Sequence, residues 1–394
     1  MGNRALRAAI VGGGIGGMAA GNALAARGFD VQIFEQAGEI AEVGAGLMMT
    51  PNSRRLLERM GLGPALARVG ATVGAGSSYY RSDGTLIAQI HTTDSSGWNG
   101  VYGMHRADLL SVLASALPAN VIHTDHRCTG FEQDGKTARL SFANGTVAEA
   151  DVVIAADGIH STLQKYVVPP SSPVNSGSVA YRGLVDADRL PSWPTDASTM
   201  WLGAGKHFLV FPVRSGSLLN YVGFIPSESI AGESWSAPGD TARLVQEFSG
   251  WDPRVEELLA RVDKTFWWGL YDRKPLATWA NGRLVLLGDA AHPMLPFLGQ
   301  GANQAIEDGV ALAVLLAKAG RERVVEALDI FSTFRRERTD RIQAGARVNG
   351  SRFDSVDGYE NLEVRDAEIA SSREFRLWLF DYDIEERAGE LAIP

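Results

Sequence analysis

Leu6-Arg-Ala-Ala-Ile-Val-Gly-Gly-Gly-Ile-Gly-Gly-Met-Ala-Ala-Gly-Asn-Ala-Leu-Ala-Ala-Arg-Gly-Phe-Asp-Val-Gln-Ile-Phe-Glu35 decides the fold. It divides into an apolar run at Leu6 to Val11, a glycine cluster, a stretch of helix formers from Met18 to Ala26, a stop at Gly28 and a second apolar run at Val31 to Phe34. Strand, turn, helix and strand in that order make a β-α-β unit. The turn carries Gly12-x-Gly14-x-x-Gly17, and Glu35 closes the second strand 18 residues after the third glycine. Gly12 permits the tight turn, Gly14 lets a pyrophosphate approach the backbone beside Ile15, and Gly17 lets helix and strand pack closely. The helix N-terminus favours the negative charge, and Glu35 can accept hydrogen bonds from both hydroxyls of an adenosine ribose. Gly12, Gly14, Ile15, Gly17 and Glu35 are the first binding candidates, for a dinucleotide that this unit alone leaves open between FAD and NAD.

Outward from this unit, apolar spacing predicts helices over Arg54 to Met60 and His105 to Leu117. Gln133-Asp-Gly-Lys136 and Asn144-Gly145 are hairpin turns, and residues 151 to 155 read as a strand buried on both faces. Between about 175 and 270 aromatic and small residues alternate, which predicts a mostly antiparallel sheet. Leu284 to Leu287 returns to the buried-strand texture, Ala302 to Ala317 is helical, and a long helix runs from Glu322 to about Gly345. Phe375-Arg-Leu-Trp-Leu-Phe-Asp-Tyr382 forms an aromatic helix that packs back on the body.

The 394 residues carry 37 Lys and Arg against 46 Asp and Glu, a net charge of -9 without a basic run, which argues against a nucleic-acid partner. The single cysteine, Cys128, excludes an intramolecular disulfide framework and a Cys-rich metal site, and fits a cytoplasmic enzyme. Ala8 to Ala26 has no charged residue, but its six glycines suit a turn better than a membrane span. No membrane association is expected. His123-x-x-His126 has no third ligand nearby, so no metal is expected. Gly130-Phe-Glu-Gln-Asp-Gly-Lys-Thr137 matches a phosphate-binding loop in letters only, because a hairpin turn with two acids cannot cradle an anion.

Two further segments complete an ordered set: Asp151-Val-Val-Ile-Ala-Ala-Asp157-Gly158-Ile-His-Ser161, and Gly288-Asp289-Ala-Ala-His292-Pro293 followed by Gly299-Gln-Gly301-Ala-Asn303. With the glycine fingerprint, this trio resembles the class A flavoprotein aromatic hydroxylases, the family of p-hydroxybenzoate and salicylate hydroxylases, and is closest to their salicylate, 3-hydroxybenzoate and 6-hydroxynicotinate branch. The resemblance implies FAD as resident cofactor and NADH or NADPH as transient co-substrate, docked without a Rossmann domain of its own. It places Asp157, Asp289 and Arg106 on the FAD, opens the Gly301-Ala302-Asn303 helix toward the flavin pyrimidine ring, and sets Pro293 over the reactive face. The chain departs from the family at Ala155 and at Gln164, where Gly and Arg are common.

For the substrate, the same branch implies that His207 faces the ring and takes the phenol proton, since histidine titrates near neutrality and a phenolate is the better nucleophile toward a flavin C4a-hydroperoxide. Residues 207, 209 and 211 share one face of a strand. Phe211 and Met48, the latter in Gly44-Ala-Gly-Leu-Met-Met-Thr50, belong to the substrate pocket, and Gln300 is a further catalytic candidate beside a helix-cap alternative. Arg182 could meet a substrate carboxylate.

The expected architecture is α/β (α+β): a Rossmann-like FAD domain from residues 1–73, 100–174 and 271–345, a mostly antiparallel substrate domain from 74–99 and 175–270, and a C-terminal helical segment, 346–394. The expected partners are a small hydroxylated aromatic acid or hydroxypyridine and O2, hydroxylated with or without decarboxylation, in a monomer or homodimer. A flavin dehydrogenase or oxidase on the same fold, and a non-catalytic FAD redox sensor, are the rivals.

Overall fold

The computed structural model of the chain describes residues 4–40, 45–227, 237–354 and 362–394. At its centre stand strand Arg7–Val11, helix Ile15–Ala25 and strand Asp30–Phe34, the β-α-β unit expected from the glycine-rich stretch. Gly12 takes φ +110°, and a Cβ there would lie 2.2 Å from the Ala156 carbonyl oxygen. A Cβ on Gly17 would lie 2.0 Å from the Gly12 carbonyl oxygen, so both positions require glycine for the backbone to close.

The central sheet has six strands in the order Ala280–Asn281, Leu284–Leu286, Val152–Ala155, Arg7–Val11, Asp30–Phe34 and Ile122–His123. Every pairing is parallel except the first. Val152–Ala155 is buried at each position, as its unbroken apolar run predicts. Helix Gly301–Ala319 lies along Ile15–Ala25, so close that a Cβ on Gly309 would come within 2.7 Å of the Ala20 nitrogen. The 130–137 segment is the expected turn: Cys128–Gln133 pairs antiparallel with Ala138–Phe142, and Asp134 Oδ1 accepts the Lys136 and Thr137 amides.

A second sheet has seven strands, Phe266–Asp272, Val174–Asp186, Leu218–Pro226, Lys206–Val213, Thr199–Gly203, Ser78–Arg81 and Leu86–Gln89. Its pairings are antiparallel apart from Thr199–Gly203 with Ser78–Arg81. A small sheet of Gly46–Met49, Tyr102–His105 and Ala71–Thr72 abuts it. There, a Cβ on Gly103 would meet the Pro212 carbonyl oxygen at 1.8 Å, and the Gly46 amide donates to Asn220 Oδ1 at 2.8 Å. Glycines at this junction bring the two sheets close enough to share one cavity.

The late helix differs from its expected length. It runs from Val324 to Phe353 and passes Gly345 without a break. Gly345 is no terminator here: a Cβ would press against Phe375 at 3.0 Å, and at Gly350 it would press against Phe297 at 2.6 Å. The aromatic segment forms helix Arg373–Phe380 and packs on that long helix, with Arg341 4.0 Å above the Trp378 ring.

Candidate active site

One cavity of about 680 Å³ extends from the glycine turn of the first sheet to the inner face of the second. Its first end is formed by Gly12, Gly14, Ile15 and Glu35. A Cβ on Gly14 would meet nothing within 4 Å, so the space over this backbone is open, as a bound pyrophosphate requires. The Glu35 carboxylate is held by the Gly13 amide at 2.7 Å and the Ala37 amide at 2.8 Å. A carboxylate offers about four acceptor sites, which leaves two for ribose hydroxyls. Gly17 stands behind the turn and packs helix on strand without lining the cavity.

Arg106, Asp157, Asp289, Gly301 and Ala302 line the middle. Asp157 Oδ2 accepts the Thr162 amide at 2.8 Å, whereas its Oδ1 is buried with no hydrogen-bond partner among the described residues. Burial raises the Asp157 carboxyl above the usual carboxylate range, against the pull of Ser161 and the Thr162 amide. An orphaned oxygen on a cavity wall fits a ligand that donates to it. Helix Gly301–Ala319 points its N-terminus at the same space, and its first N–H groups have no partner within the helix. A dinucleotide fits these residues: a phosphate cradle at one end, a hydroxyl acceptor beside it, and an anion-stabilising helix start where the redox ring would lie.

The third stretch is aromatic. His207, Leu209 and Phe211 line it together, as the strand period predicts, with Met48 and Pro293. His207 is 1% exposed and stacks on Phe224 at 4.2 Å between ring centroids. Its Nδ1 lies 2.6 Å from Asp354 Oδ1. A carboxylate at that distance fixes the proton on Nδ1 and leaves Nε2 with a lone pair, and among the described residues Nε2 has no hydrogen-bond partner. The Pro293 carbonyl accepts from Gln343 Nε2 at 2.7 Å, which fixes the loop before the Gly301 helix.

Gln300 and Asn303 spend their side chains elsewhere. Gln300 donates to Thr50 Oγ1 at 3.1 Å and accepts from Asn52 and Gln304, so its amide is turned into a buried network, and it makes no side-chain cap on the helix. Asn303 binds the Met48 and Gly299 carbonyls, the Thr50 amide and the Ser53 hydroxyl, which pins strand Gly46–Met49 to the helix start. Arg182 lies over the Trp268 ring at 4.6 Å in the cavity wall. His123 stacks on Phe34 and bonds Gln32, and His126 lies tilted against Phe34 and bonds the Thr124 carbonyl. Gly44 lies outside the described residues.

Behind the Gly301 helix sits a charge network that sequence reasoning missed. Arg335 is 0% exposed and reaches Glu307 at 2.9 Å and Asp308 at 2.7 Å. Arg338 binds Glu307 at 2.8 Å, and His292 binds Asp308 at 2.6 Å. Asp308 also accepts the Gly288 amide, so the network ties the Gly288–Pro293 segment to the helix. A signal was present: Glu307-Asp308 interrupts the apolar run from Ala305 to Ala317, and buried acids need cations. Asp354 had no such signal.

A glycine cradle joined by one cavity to a histidine in an aromatic pocket defines a flavoprotein that does chemistry on a ring. The chain belongs to the family described as FAD binding domain, whose model matches residues 5–346, and within it to the FAD-dependent aromatic-ring monooxygenases, with NAD(P)H as co-substrate. It is 36% identical over 386 residues to the 3-amino-4-hydroxybenzoate 2-monooxygenase PtmB3 of Streptomyces platensis, covering 97% of each chain. It is 34% identical over 387 residues to the 6-hydroxynicotinate 3-monooxygenase of Bordetella bronchiseptica, covering 96% of this chain and 95% of that one. A solved salicylate hydroxylase substrate complex superposes with a TM-score of 0.84 at 28% identity, covering 99% and 98% of the two chains. Among the described residues no helix is long and apolar enough to cross a membrane.

Proposed function

We propose that this monooxygenase hydroxylates a small aromatic carboxylic acid or hydroxypyridine at a ring carbon activated by an existing hydroxyl group, which His207 deprotonates. The observation that carries this reading is the His207–Asp354 pair: a buried imidazole on the cavity wall, its Nδ1 held at 2.6 Å by a carboxylate, and its Nε2 available as a base. The relatives named above support the substrate class, since each name specifies a hydroxylated ring acid.

FAD, when bound, supplies electron transfer from NAD(P)H and activation of O2. The chain supplies the rest. Gly12, Gly14 and the start of helix Ile15–Ala25 would hold the pyrophosphate, Glu35 the ribose, Arg106, Asp157 and Asp289 the middle of the cofactor, and the Gly301–Ala302 backbone the electron-rich edge of its ring. Nε2 of His207 takes the phenol proton and raises the electron density of the ring. Asp354 keeps the imidazole in the tautomer that can do so. Phe224, Phe297 and Phe353 surround His207 with ring centroids at 4.2, 5.5 and 5.4 Å, so water is kept from the base and from the reacting carbon. A cytosolic location and a monomer or homodimer complete the reading.

The test is the rate of NAD(P)H oxidation by the FAD-loaded protein with 3-amino-4-hydroxybenzoate, 6-hydroxynicotinate, salicylate and their non-hydroxylated counterparts. Stimulation by hydroxylated acids alone supports the reading. Equal stimulation by benzoate, or none by any ring acid, refutes it.

A further inference from the structure

The aromatic end of the cavity contains a cation that nothing above employs. Arg376, on helix Arg373–Phe380, lines the cavity half-buried beside Leu379 and Phe380. Its Nη2 donates to the Tyr79 hydroxyl at 2.5 Å, and among the described residues it makes no ion pair. Tyr79 is itself buried and lines the same wall. Phe353 joins this pair to the catalytic histidine: its ring centroid lies 6.2 Å from Tyr79 and 5.4 Å from His207. Arginine, tyrosine and histidine therefore border one aromatic compartment.

Three other arginines line the cavity wall. Arg106 opens helix Arg106–Ser115 in the middle of the cavity, Arg127 adjoins Cys128 toward the Glu35 end, and Arg182 lies over the Trp268 ring at 4.6 Å. His91 also lines the compartment, but burial, reinforced by the charges of Arg373 and Arg376, pushes its imidazole below the usual range, so it is neutral at pH 7. Arg182 and Arg376 both bring positive charge to this end; Arg182 is buried over Trp268, whereas Arg376 is half-buried against a hydroxyl. A guanidinium whose one hydrogen-bonded partner among the described residues is a neutral hydroxyl retains donors for a planar anion and matches a carboxylate in a two-pronged geometry.

We infer that Arg376, presented by Tyr79, is the anchor for the carboxylate of the aromatic substrate, and so selects ring acids over uncharged phenols. This rests on the proposed function. It gives the C-terminal helix a part in substrate choice: that helix brings the anchor from the far end of the chain to the wall opposite the FAD-binding turn.

The test is binding to the FAD-loaded enzyme, read from the change in flavin absorbance on titration, with 4-hydroxybenzoate, 3-amino-4-hydroxybenzoate and their carboxamides as probes. The wild type should bind the acids roughly tenfold or more tighter than the amides, the range of one charge-assisted contact. Arg376→Gln should remove that preference by weakening the acids alone, and Tyr79→Phe should reduce it partially. FAD content and melting temperature of both variants serve as the folding control. Arg376→Gln removes a side chain that makes no ion pair among the described residues, so both should hold. If Arg376→Gln keeps the full preference for acids, or the wild type binds acid and amide alike, the anchor assignment is overturned. If no ring compound perturbs the flavin of the wild type, the proposed function itself fails, and the anchor with it.

Discussion

His207 Nδ1 and Asp354 Oδ1 lie 2.6 Å apart although 147 residues separate them in the chain. The contact joins the substrate-facing sheet to the end of the long helix and sets which ring nitrogen carries the proton. His207→Ala should lower kcat by about 10²–10⁴-fold, the usual worth of a positioned base. The loss should shrink as pH rises toward the ionisation of the substrate phenol itself. Asp354→Asn should lower kcat less, on the order of tenfold to hundredfold, with KM unchanged, because an amide can hold the wrong tautomer. A pH-independent loss, or a change confined to KM, would show that His207 only packs.

Gly12 and Gly14 should separate folding from cofactor binding. Gly12→Ala forces a Cβ to within 2.2 Å of a carbonyl oxygen at φ +110°, and should leave little folded protein. Gly14→Val points into open space, so the protein should fold and melt like the FAD-free wild type while binding no flavin. Visible absorbance and melting curves decide this. A yellow Gly14→Val protein would contradict the placement of the pyrophosphate.

Arg335→Ala should destabilise the fold by about 3–5 kcal/mol, the cost of leaving buried carboxylates without their cation. Arg335→Lys should not rescue it, since a single ammonium cannot reach Glu307, Asp308 and Gln304 as the guanidinium does. Urea unfolding measures both. A loss under about 1 kcal/mol would place the network among dispensable ion pairs.

Acid should expose the same network. Burial opposes ionisation of Asp308, but His292 and Arg335 prevail and bring it from 3.8 down to about 2. A carboxylate held below its unfolded value stabilises the fold fully above about pH 4, and that stability, roughly 2 kcal/mol, is lost as pH falls toward 2. The urea midpoint of the wild type should therefore decline between those values, and Asp308→Asn should flatten that decline. An equal slope in both would contradict it.

The parts of the site that were legible in the sequence are those whose chemistry is local. Gly12, Gly14 and Gly17 answer to one turn, and the Asp-Gly and Asn-Gly hairpins to two. Residues 207, 209 and 211 share a face by the two-residue period of a strand. The parts that were not legible depend on contacts across the fold. Gly345 looked like a helix end but is a close approach to Phe375. Gln300 read as a catalytic candidate or a helix cap, and its bonds to Thr50 and Asn52 at another helix start come from contacts across the fold. Asp354 follows the long helix with no motif around it, and Arg376 lies in the aromatic helix whose packing on the body was expected but whose target was not; only the return of the C-terminal helices onto the cavity shows what the two face.

The central claim is oxygen transfer to a ring, and product mass under 18O2 tests it most directly. The FAD-loaded enzyme would be incubated with NAD(P)H and whichever hydroxylated acid accelerates NAD(P)H oxidation. One labelled oxygen in the product, with none from labelled water, is the predicted result. Substrate oxidised without label, with the O2 recovered as hydrogen peroxide, would contradict it and make the enzyme a flavin dehydrogenase or oxidase on the same fold.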